Sequence, residues 1–441
     1  MIDQILLITI GIIFGLATFI VVLMKPILGL ALTFASLPLY IFTGFQGVTF
    51  TSVAGLLGGI TLVSYLVHFL PGVSSIKKTS KEELTTNKAI YAFSVLFFIE
   101  VFLWDLFVPI RVDRFYSLTV IQLLILVWLS NQIIQEQKQL ETLMKIFILV
   151  NVIVLAFYLP NFDYFSPDAS LDRIAGFAGN ANEFSVYLGI SILFLLYFFE
   201  KSRKTLTKTF LLLLVLFIFI PIFMSGSRGG LLFLVIALGY QIIRTRKPSL
   251  LLITILFLLI IINSSLVPRV YIERMLNIPS DIMTQSDTIG TRFNLWRHAL
   301  NLWQTSPFIG IGTGMFLIRS TEGTVYTGTK MLVAHNSYVS TLVENGLIGL
   351  ILFGAVNFLS FLNFEKAIRL TKSTNPQLHK LAITWQSVLL IYMLNGVKGN
   401  YQFGKILWLA IGVSMVMLNF SCQAIKKDTT ESQYLTIQEV K

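Results

Sequence analysis

Charged residues and cysteine are both scarce in this sequence. Charged residues make up 12% of the 441 positions, whereas hydrophobic residues make up 55%, and the mean hydropathy is +0.78. This apolar content exceeds what a soluble protein of the same length needs to fill its core, so a soluble fold is excluded. Cys422 is the only cysteine, which excludes an intrachain disulfide, a cysteine metal cluster and a paired redox centre.

Long hydrophobic runs are abundant, and they define the fold class. We predict an all-α polytopic membrane protein with about 12–13 transmembrane helices and one long extracytoplasmic loop, 265–335, that contains an amphipathic helix. The predicted helices span 5–23, 27–43, 52–70, 89–109, 115–131, 142–159, 184–199, 210–224, 229–243, 249–264, 337–362, 381–396 and 403–420. The first run precedes further spans and no small-residue cleavage site, so we interpret it as a helix and not as a signal peptide. We expect one membrane domain over 1–425 and a polar cytoplasmic tail over 426–441.

The positive charge is concentrated in short segments between the hydrophobic runs. The net charge of +11 would suggest nucleic-acid binding in a soluble protein, but basic loops of this kind are typical of the cytoplasmic side of a membrane. The clusters are Lys77, Lys78, Lys81 and Lys88; Lys201, Arg203, Lys204 and Lys208; Arg244, Arg246 and Lys247; Lys366, Arg369, Lys372 and Lys380; and Lys426 with Lys427. An even number of predicted helices separates each cluster from the next. We therefore place all five on the cytoplasmic side and expect no nucleic-acid partner.

A glycine-rich turn on the predicted outer face carries one arginine. The turn 225–230 joins two predicted helices and places Arg228 at the membrane boundary, where a charge is costly unless something pairs with it. Gly229 and its neighbours leave the backbone open to close approach, and a guanidinium group has the planar fork that binds phosphate oxygens. The alternative is an arginine that snorkels to the interface and only marks the end of a helix.

His335 lies at the predicted outer end of a helix, next to Asn336 and Ser337. It is the only one of the four histidines placed on this face near other polar groups. An imidazole with an ordinary pKa near 6.5 can take a proton from a sugar hydroxyl at neutral pH, so a general base is chemically sensible here. A histidine that caps the helix or lies at an interface is the alternative, and Asn336 or Ser337 is also a natural N-cap.

The outer loop contains a segment with helical periodicity just before a glycine-rich run. The apolar face of this predicted interfacial helix consists of Leu295, Trp296, Ala299, Leu300 and Trp303. Arg292, one turn before Trp296, is expected to point back toward the membrane surface. The run Gly310-Ile311-Gly312-Thr313-Gly314 follows no strand, so we interpret it as a tight turn and not as a nucleotide fingerprint.

Polar residues precede the seventh predicted helix. Asn180, Asn182 and Glu183 could bind sugar hydroxyls or position Arg228, whereas a capped helix start would explain them equally well. No spacing of histidine, aspartate and glutamate suggests a metal site.

Two acidic residues, Glu100 and Asp105, lie toward the outer end of the fourth predicted helix. Buried acids in membrane helices often belong to ion pathways. Arg111 and Arg114 are close enough in sequence to be simple partners for them.

Together these segments resemble the O-antigen ligase and polymerase superfamily of bacterial membrane proteins. The shared motifs are Ser227-Arg228-Gly229-Gly230 opening a helix, Arg292 one turn before Trp296, Pro307 ahead of Gly310-Ile311-Gly312-Thr313-Gly314, and His335-Asn336-Ser337-Tyr338 ahead of Glu344-Asn345-Gly346-Leu347-Ile348-Gly349. The diagnostic part covers residues 170–355, and the earlier helices match only as hydrophobic spans.

The resemblance implies a metal-independent glycosyltransferase that takes a glycan from a polyprenyl diphosphate carrier and passes it to an acceptor hydroxyl. Arg228 and Arg292 would hold the donor diphosphate, and His335 would deprotonate or orient the acceptor hydroxyl. The candidate substrate-binding residues are Asn180, Asn182, Glu183, Asn336, Tyr338 and Trp296. We expect no cofactor.

The resemblance also implies partners and a location. The donor would be a polyprenyl-diphosphate-linked glycan, the acceptor a glycan or the lipid A-core, and the surroundings membrane lipid. A flippase and a chain-length regulator are further expected partners. The expected location is the bacterial inner (plasma) membrane, with the active site on the extracytoplasmic face.

Other functions remain open at this point. A polymerase and a ligase fit equally as members of the superfamily, and a protein O-oligosaccharyltransferase is a further member type. An inorganic-carbon transporter is the alternative of a different class, but it should show broken helices with ionisable groups near mid-membrane. The polar groups singled out above gather at one surface instead, which favours the enzyme over the transporter or a structural scaffold.

Overall fold

The computed structural model describes residues 15–42, 53–69, 85–107, 116–159, 180–247, 288–320 and 332–439. Within these ranges the chain forms helices and no β-strand, as the sequence predicts. The predicted helix 249–264, most of the outer loop 160–183 and part of the long loop 265–335 lie outside the described residues, as do Lys77, Lys78 and Lys81.

The helices follow one another with short connections. They are α1 (Gly15–Met24), α2 (Pro26–Ala35), a 3-10 helix (Leu37–Phe42), α3 (Val53–Phe69), α4 (Thr85–Phe107), α5 (Tyr116–Ile133), α6 (Gln137–Tyr158), α7 (Ala181–Lys201), α8 (Thr205–Met224), α9 (Arg228–Thr245), α10 (Thr288–Trp303), α11 (Met315–Arg319), α12 (Ser337–Thr371), α13 (Pro376–Asn395) and α14 (Lys405–Glu439). Among the described residues, eight helices are long and apolar enough to cross a membrane: α4 to α9, α12 and α14. The protein is therefore an all-α polytopic membrane protein.

Side-chain caps fix where several helices begin. The side chains of Asn180, Ser227 and Asn336 accept hydrogen bonds from backbone N–H groups in the first turns of α7, α9 and α12. Asn375 does the same for α13. Because a helix leaves its first N–H groups without intrahelical partners, these caps stabilise the helix starts.

The core is a set of large apolar side chains between the most enclosed spanning helices, α7 and α14. Trp385 of α13 and Trp408 of α14 are fully buried. The ring of Trp385 lies 5.2 Å from that of Phe194, and the ring of Trp408 lies 4.5 Å from that of Phe98. The bundle is thus packed tightly enough to hold the ends of its helices in fixed relative positions.

Ion pairs join the helices at one end of the bundle, which we call the far end. Each pair brings together residues that the basic clusters contribute and carboxylates of neighbouring helices. The pairs are Lys201 with Glu141 at 2.6 Å, Arg244 with Glu365 at 2.6 Å, Arg369 with Glu365 at 3.2 Å and Lys380 with Glu200 at 3.0 Å. Three of the predicted basic clusters therefore share this end, and its assignment to the cytoplasm stays a prediction.

Several predicted boundaries differ from the structure. The predicted helix 27–43 ends at Ala35 and continues as a 3-10 helix. The predicted helix 337–362 continues to Thr371 and breaks at Gly346. The last predicted helix, 403–420, continues to Glu439, so most of the predicted polar tail extends α14 as helix. Hydropathy marks where apolar residues stop, whereas backbone hydrogen bonds continue into polar sequence.

The predicted amphipathic helix is present as α10, with one residue on the wrong face. Leu300 is 43% exposed, whereas Leu302 is buried. The buried cluster under α10 consists of Leu295, Ala299, Leu302, Phe316, Ala334 and Val343. Because this cluster includes α11 and the start of α12, the docking of these neighbours decides which side of α10 is covered.

Candidate active site

Ser227 organises the first turn of α9. Its Oγ accepts a hydrogen bond from the backbone N–H of Gly230 at 3.2 Å and donates one to Oδ1 of Asn182 at 2.8 Å. These bonds fix the position of Arg228, the first residue of α9, whose side chain is half-buried. Because a helix N-terminus carries partial positive charge and open N–H groups, an arginine at this point suits an anion.

Lys398 reaches the same turn from the segment between α13 and α14. Its Nζ donates a hydrogen bond to Oγ of Ser227 at 2.8 Å, and the residue is only 9% exposed. A Cβ atom at Gly229 would lie 2.6 Å from the Lys398 side chain, so the lysine stem lies directly over this glycine. Two cationic residues, Arg228 and Lys398, are thus placed at the beginning of α9.

His335 immediately precedes the N-cap of α12. Its backbone has a positive φ of 50°, which is uncommon for a residue other than glycine and is often found at functional sites. The next residues fix this geometry, because the side chain of Asn336 accepts from the N–H groups of Tyr338 and Val339 at 2.9 and 3.1 Å. The imidazole is therefore attached to a firmly capped helix start.

The beginning of α12 is bonded to the segment that carries Lys398. Oγ of Ser337 donates to the carbonyl oxygen of Gly399 at 2.8 Å and accepts from the N–H of Tyr401 at 2.7 Å. The N–H of Asn336 donates to Oδ1 of Asn400 at 3.1 Å. The starts of α9 and α12 are therefore held by one connecting segment, and we call this end of the bundle the site end.

Arg292 comes close to His335 because α10 is tied to the chain just before α12. Nε1 of Trp296 donates a hydrogen bond to the carbonyl oxygen of Ala334 at 2.8 Å. Burial, and then the positive charge of Arg292, lower the pKa of His335 from its ordinary 6.5. Because such a charge effect requires proximity, Arg292 and His335 belong to one site, and the imidazole is neutral at pH 7.

Tyr401 lies near charged residues of two further elements. Burial and the Glu183 carboxylate raise the pKa of Tyr401 well above its ordinary value, whereas the Arg292 guanidinium lowers it. Glu183 also forms a hydrogen bond with Tyr187, and the rings of Tyr392 and Tyr401 meet at 5.8 Å. The site end therefore brings the start of α7 together with α10 and the turn before α14.

A break in α12 receives the loop that follows α10. The break is at Gly346, whose φ is 66°. Backbone N–H groups of Leu347 and Ile348 donate to the carbonyl oxygens of Pro307 and Phe308 at 2.9 and 3.1 Å. The loop and the broken helix thus form one unit, which fixes α10 relative to α12.

The glycine-rich run is a tight turn, as the sequence predicts. Gly310, Gly312 and Gly314 all have positive φ values, of 78°, 109° and 79°. The side chain of Glu344 accepts hydrogen bonds from the backbone N–H groups of Gly314 and Phe316 at the start of α11. The conserved role of this run in the present structure is therefore mechanical, since it holds α11 and α12 together.

Glu100 and Asp105 have different surroundings. Asp105 accepts hydrogen bonds from the backbone N–H and the hydroxyl of Ser117 at the start of α5. Both carboxylate oxygens of Glu100 are buried, have no hydrogen-bond partner among the described residues and face Gly349 of α12. The proposed partners Arg111 and Arg114 lie outside the described residues, and an ion pathway stays a prediction.

Most of the predicted substrate-binding side chains make bonds that shape the site. Asn180 accepts from the N–H of Asn182 at 2.8 Å, and the hydroxyl of Tyr338 donates to the carbonyl oxygen of Met393 at 2.8 Å. Asn182, Asn336 and Trp296 make the bonds given above. Glu183 lies among tyrosines. The structure gathers these residues around Arg228, Arg292 and His335, and their direct contact with a substrate stays a prediction.

Sequence reasoning missed the contribution of the segment between α13 and α14. It placed the turn 398–405 on the outer face but singled out none of its residues. The structure puts Lys398, Asn400 and Tyr401 in contact with the starts of α9 and α12. A lysine in a short loop on the face without basic clusters was the available signal. Across the residues described, no group of three histidine, cysteine, aspartate or glutamate side chains could hold a metal ion.

These features define a polytopic membrane protein with a cationic site and a neutral histidine at one end of its helices. Residues 212–354 match the family model for O-antigen ligase, and this stretch includes Arg228, Arg292 and His335. No curated protein matches the chain. The matching region places the protein in the O-antigen ligase-like superfamily, in agreement with the resemblance of its motifs.

Proposed function

We propose that this protein is a glycosyltransferase of bacterial surface polysaccharide assembly. It would transfer a glycan from a polyprenyl diphosphate carrier to an acceptor hydroxyl at the extracytoplasmic face of the inner membrane. The observation that carries this proposal is the proximity of Arg292 to a neutral His335. The segment bonded to the start of α12 also reaches the arginine-bearing start of α9.

The two arginines suit the leaving group. The bond between the anomeric carbon and a phosphate oxygen breaks, and its electron pair stays on the diphosphate. Arg228 and Arg292 would bind these oxygens and stabilise the charge that develops there, without a metal ion. Arg228 has the additional advantage of lying at a helix N-terminus, where anions are favoured.

His335 suits the attacking group. The acceptor oxygen forms the new bond to the anomeric carbon, and its proton passes to the imidazole. Because burial and Arg292 lower the pKa of His335, the ring is neutral at pH 7 and can accept this proton. Attack opposite to the leaving diphosphate would invert the anomeric centre.

The acceptor divides the proposal into two forms. A polymerase would use another carrier-linked repeat unit, and a ligase would use the lipid A-core. Undecaprenyl diphosphate is the carrier we expect, and a flippase and a chain-length regulator are the expected partners in either pathway. A deletion strain distinguishes the two forms. Single repeats attached to lipid without long chains indicate a polymerase, whereas accumulated carrier-linked long chains indicate a ligase.

Substitution of the three central residues tests the catalytic assignment. Arg228→Ala, Arg292→Ala and His335→Ala, each expressed at the wild-type level in the deletion strain, should abolish full-length glycan. Removal of a group that stabilises developing charge or transfers a proton typically lowers rates by about 100-fold or more. Glycan length and lipid attachment on gels report the result.

Matched substitutions provide the controls. Arg297→Ala removes an exposed arginine from the same helix as Arg292, and His379→Gln alters a histidine that bonds to Ile368 near the far end. Both should restore the glycan. If Arg228→Ala and His335→Ala also restore it in full, the catalytic assignment is wrong.

A further inference from the structure

The hydroxyl of Ser227 has a full set of hydrogen bonds. It donates to Oδ1 of Asn182 and accepts from the N–H of Gly230 and from Nζ of Lys398. A hydroxyl group has one donor and two acceptor sites, so these bonds use its entire capacity. The orientation of Ser227 is therefore set jointly by α7, by α9 and by the lysine.

The ammonium group of Lys398 is in an electrostatically unfavourable place. It is buried and lies at the positive end of α9, beside the residue that precedes Arg228. A buried ammonium costs free energy unless its bonds compensate, and a helix N-terminus repels a cation. A methionine of similar shape would avoid both costs, so packing alone does not explain a lysine here.

The segment of Lys398 also holds the helix that follows His335. The N–H of Ser337 donates to the carbonyl oxygen of Gly396 at 2.7 Å, and Nδ2 of Asn400 donates to Oγ of Ser340 at 2.8 Å. Lys398 is the member of this segment that reaches the start of α9. It therefore links the helix that begins with Arg228 to the helix that His335 precedes.

We propose that Lys398 is a positioning residue, whose ammonium group orients Ser227 and the first turn of α9 so that Arg228 faces the same substrate as His335. This inference rests on the proposed function for its effect on catalysis. Its structural part, the anchoring of the first turn of α9, does not depend on which reaction the site performs.

Steady-state kinetics of Lys398→Met tests the catalytic part. The purified full-length protein would be assayed with the lipid-linked glycan that accumulates in a deletion strain. Loss of a charged hydrogen bond that aligns Arg228 should lower kcat/KM for this donor about tenfold. KM for the acceptor should stay unchanged. Lys398→Arg keeps a cationic donor and should recover part of the loss, whereas Lys372→Met, an exposed lysine beyond α12, should behave as wild type.

Gly229→Ala tests the same link without removing the lysine. A methyl group at this position would displace the Lys398 stem and weaken its bond to Ser227, so the donor kcat/KM should fall in the same direction but less. Gly239→Ala is the matched control, because a Cβ there meets nothing within 4 Å in the same helix. It should leave the kinetics unchanged.

Hydrogen exchange separates this inference from the proposed function. Peptides that cover residues 225–231 should exchange faster in Lys398→Met and Gly229→Ala than in the wild type and Gly239→Ala. If exchange there is unchanged, or if activity falls only in proportion to the folded protein recovered, the positioning role is wrong. If exchange accelerates but Arg228→Ala and His335→Ala transfer glycan normally, the anchoring stands and the proposed function fails.

Discussion

The two ends of the helix bundle hold their charges in different ways. At the far end, cations bond directly to carboxylates, as Lys201 does with Glu141 and Arg244 with Glu365. At the site end, Lys398 bonds to a serine hydroxyl, and Arg292 acts on a histidine and a tyrosine. Carboxylate partners satisfy a cation permanently, whereas hydroxyls leave its net charge in place. The site end is therefore suited to an incoming anion, and the far end to holding the helices together.

The backbone differs between the ends in the same sense. Continuous helices with ion-paired termini make up the far end, whereas the site end contains the break at Gly346 and the positive-φ residues His335, Gly310, Gly312 and Gly314. Irregular backbone within a membrane protein persists where the surrounding structure fixes it, and such positions often serve a function. Changes at the site end should thus reduce activity per folded molecule, and changes at the far end should reduce stability alone.

Gly346→Ala should have the largest effect on stability. Its φ of 66° and ψ of −166° suit only glycine, and a Cβ atom would contact the backbone of Phe308 and Ile309. We expect a loss of about 3 kcal/mol, together with lower transfer activity in the molecules that remain folded. Thermal unfolding in detergent and activity per folded molecule measure the two effects.

Gly354→Ala is the control for this substitution. The residue lies in the same helix, and a Cβ there meets nothing within 4 Å. It should be neutral or stabilise by less than about 1 kcal/mol, because alanine favours helix more than glycine does. Equal stability of the two variants would show that the break does not depend on glycine.

Lys201→Met should have a moderate effect that is confined to stability. The buried carboxylate of Glu141 would keep Tyr197 and Gln137 as partners but lose its cation. Because the lysine side chain is 33% exposed, solvent moderates the loss, and we expect about 1 kcal/mol. The melting temperature should fall while kcat and KM stay at wild-type values.

Lys204→Met, an exposed lysine of the same basic cluster, should change neither property. A loss of transfer activity per folded molecule in Lys201→Met would break the distinction between the two ends.

The smallest expected effect is a shift in the titration of His335. The reactive imidazole is the neutral form, so activity should fall as the pH drops through the lowered pKa, below 6.5. Arg292→Gln removes a positive charge that disfavours the imidazolium, so the pKa of His335 should rise toward 6.5. The pH dependence of diethyl pyrocarbonate modification, followed by mass spectrometry of the His335 peptide, measures this shift.

Arg297→Gln, which changes an exposed arginine of the same helix, should leave the titration of His335 as it is. An unchanged titration in Arg292→Gln would contradict the proximity of the two residues.

Much of the fold could be predicted from hydropathy, because a membrane helix requires a long apolar run and the structure contains such helices at the predicted places. The ends of the helices could not, since α12 and α14 continue into polar sequence and α2 stops early. The face of α10 was predicted with one error, at Leu300. Its periodicity indicates an apolar side, but the neighbouring elements decide how far that side is covered.

The sequence by itself determined the membrane fold, the sharing of one end by the described basic clusters, and the motifs around Arg228, Arg292 and His335. Local properties suffice for these, because hydropathy, charge and residue type do not depend on distant contacts. Only the tertiary structure decided that Arg292 acts on His335 and that Lys398 reaches Ser227. Ser227 and Lys398 are 171 positions apart along the chain, and no local pattern fixes such a distance. The packing of α7, α9, α12 and α13 brings them together.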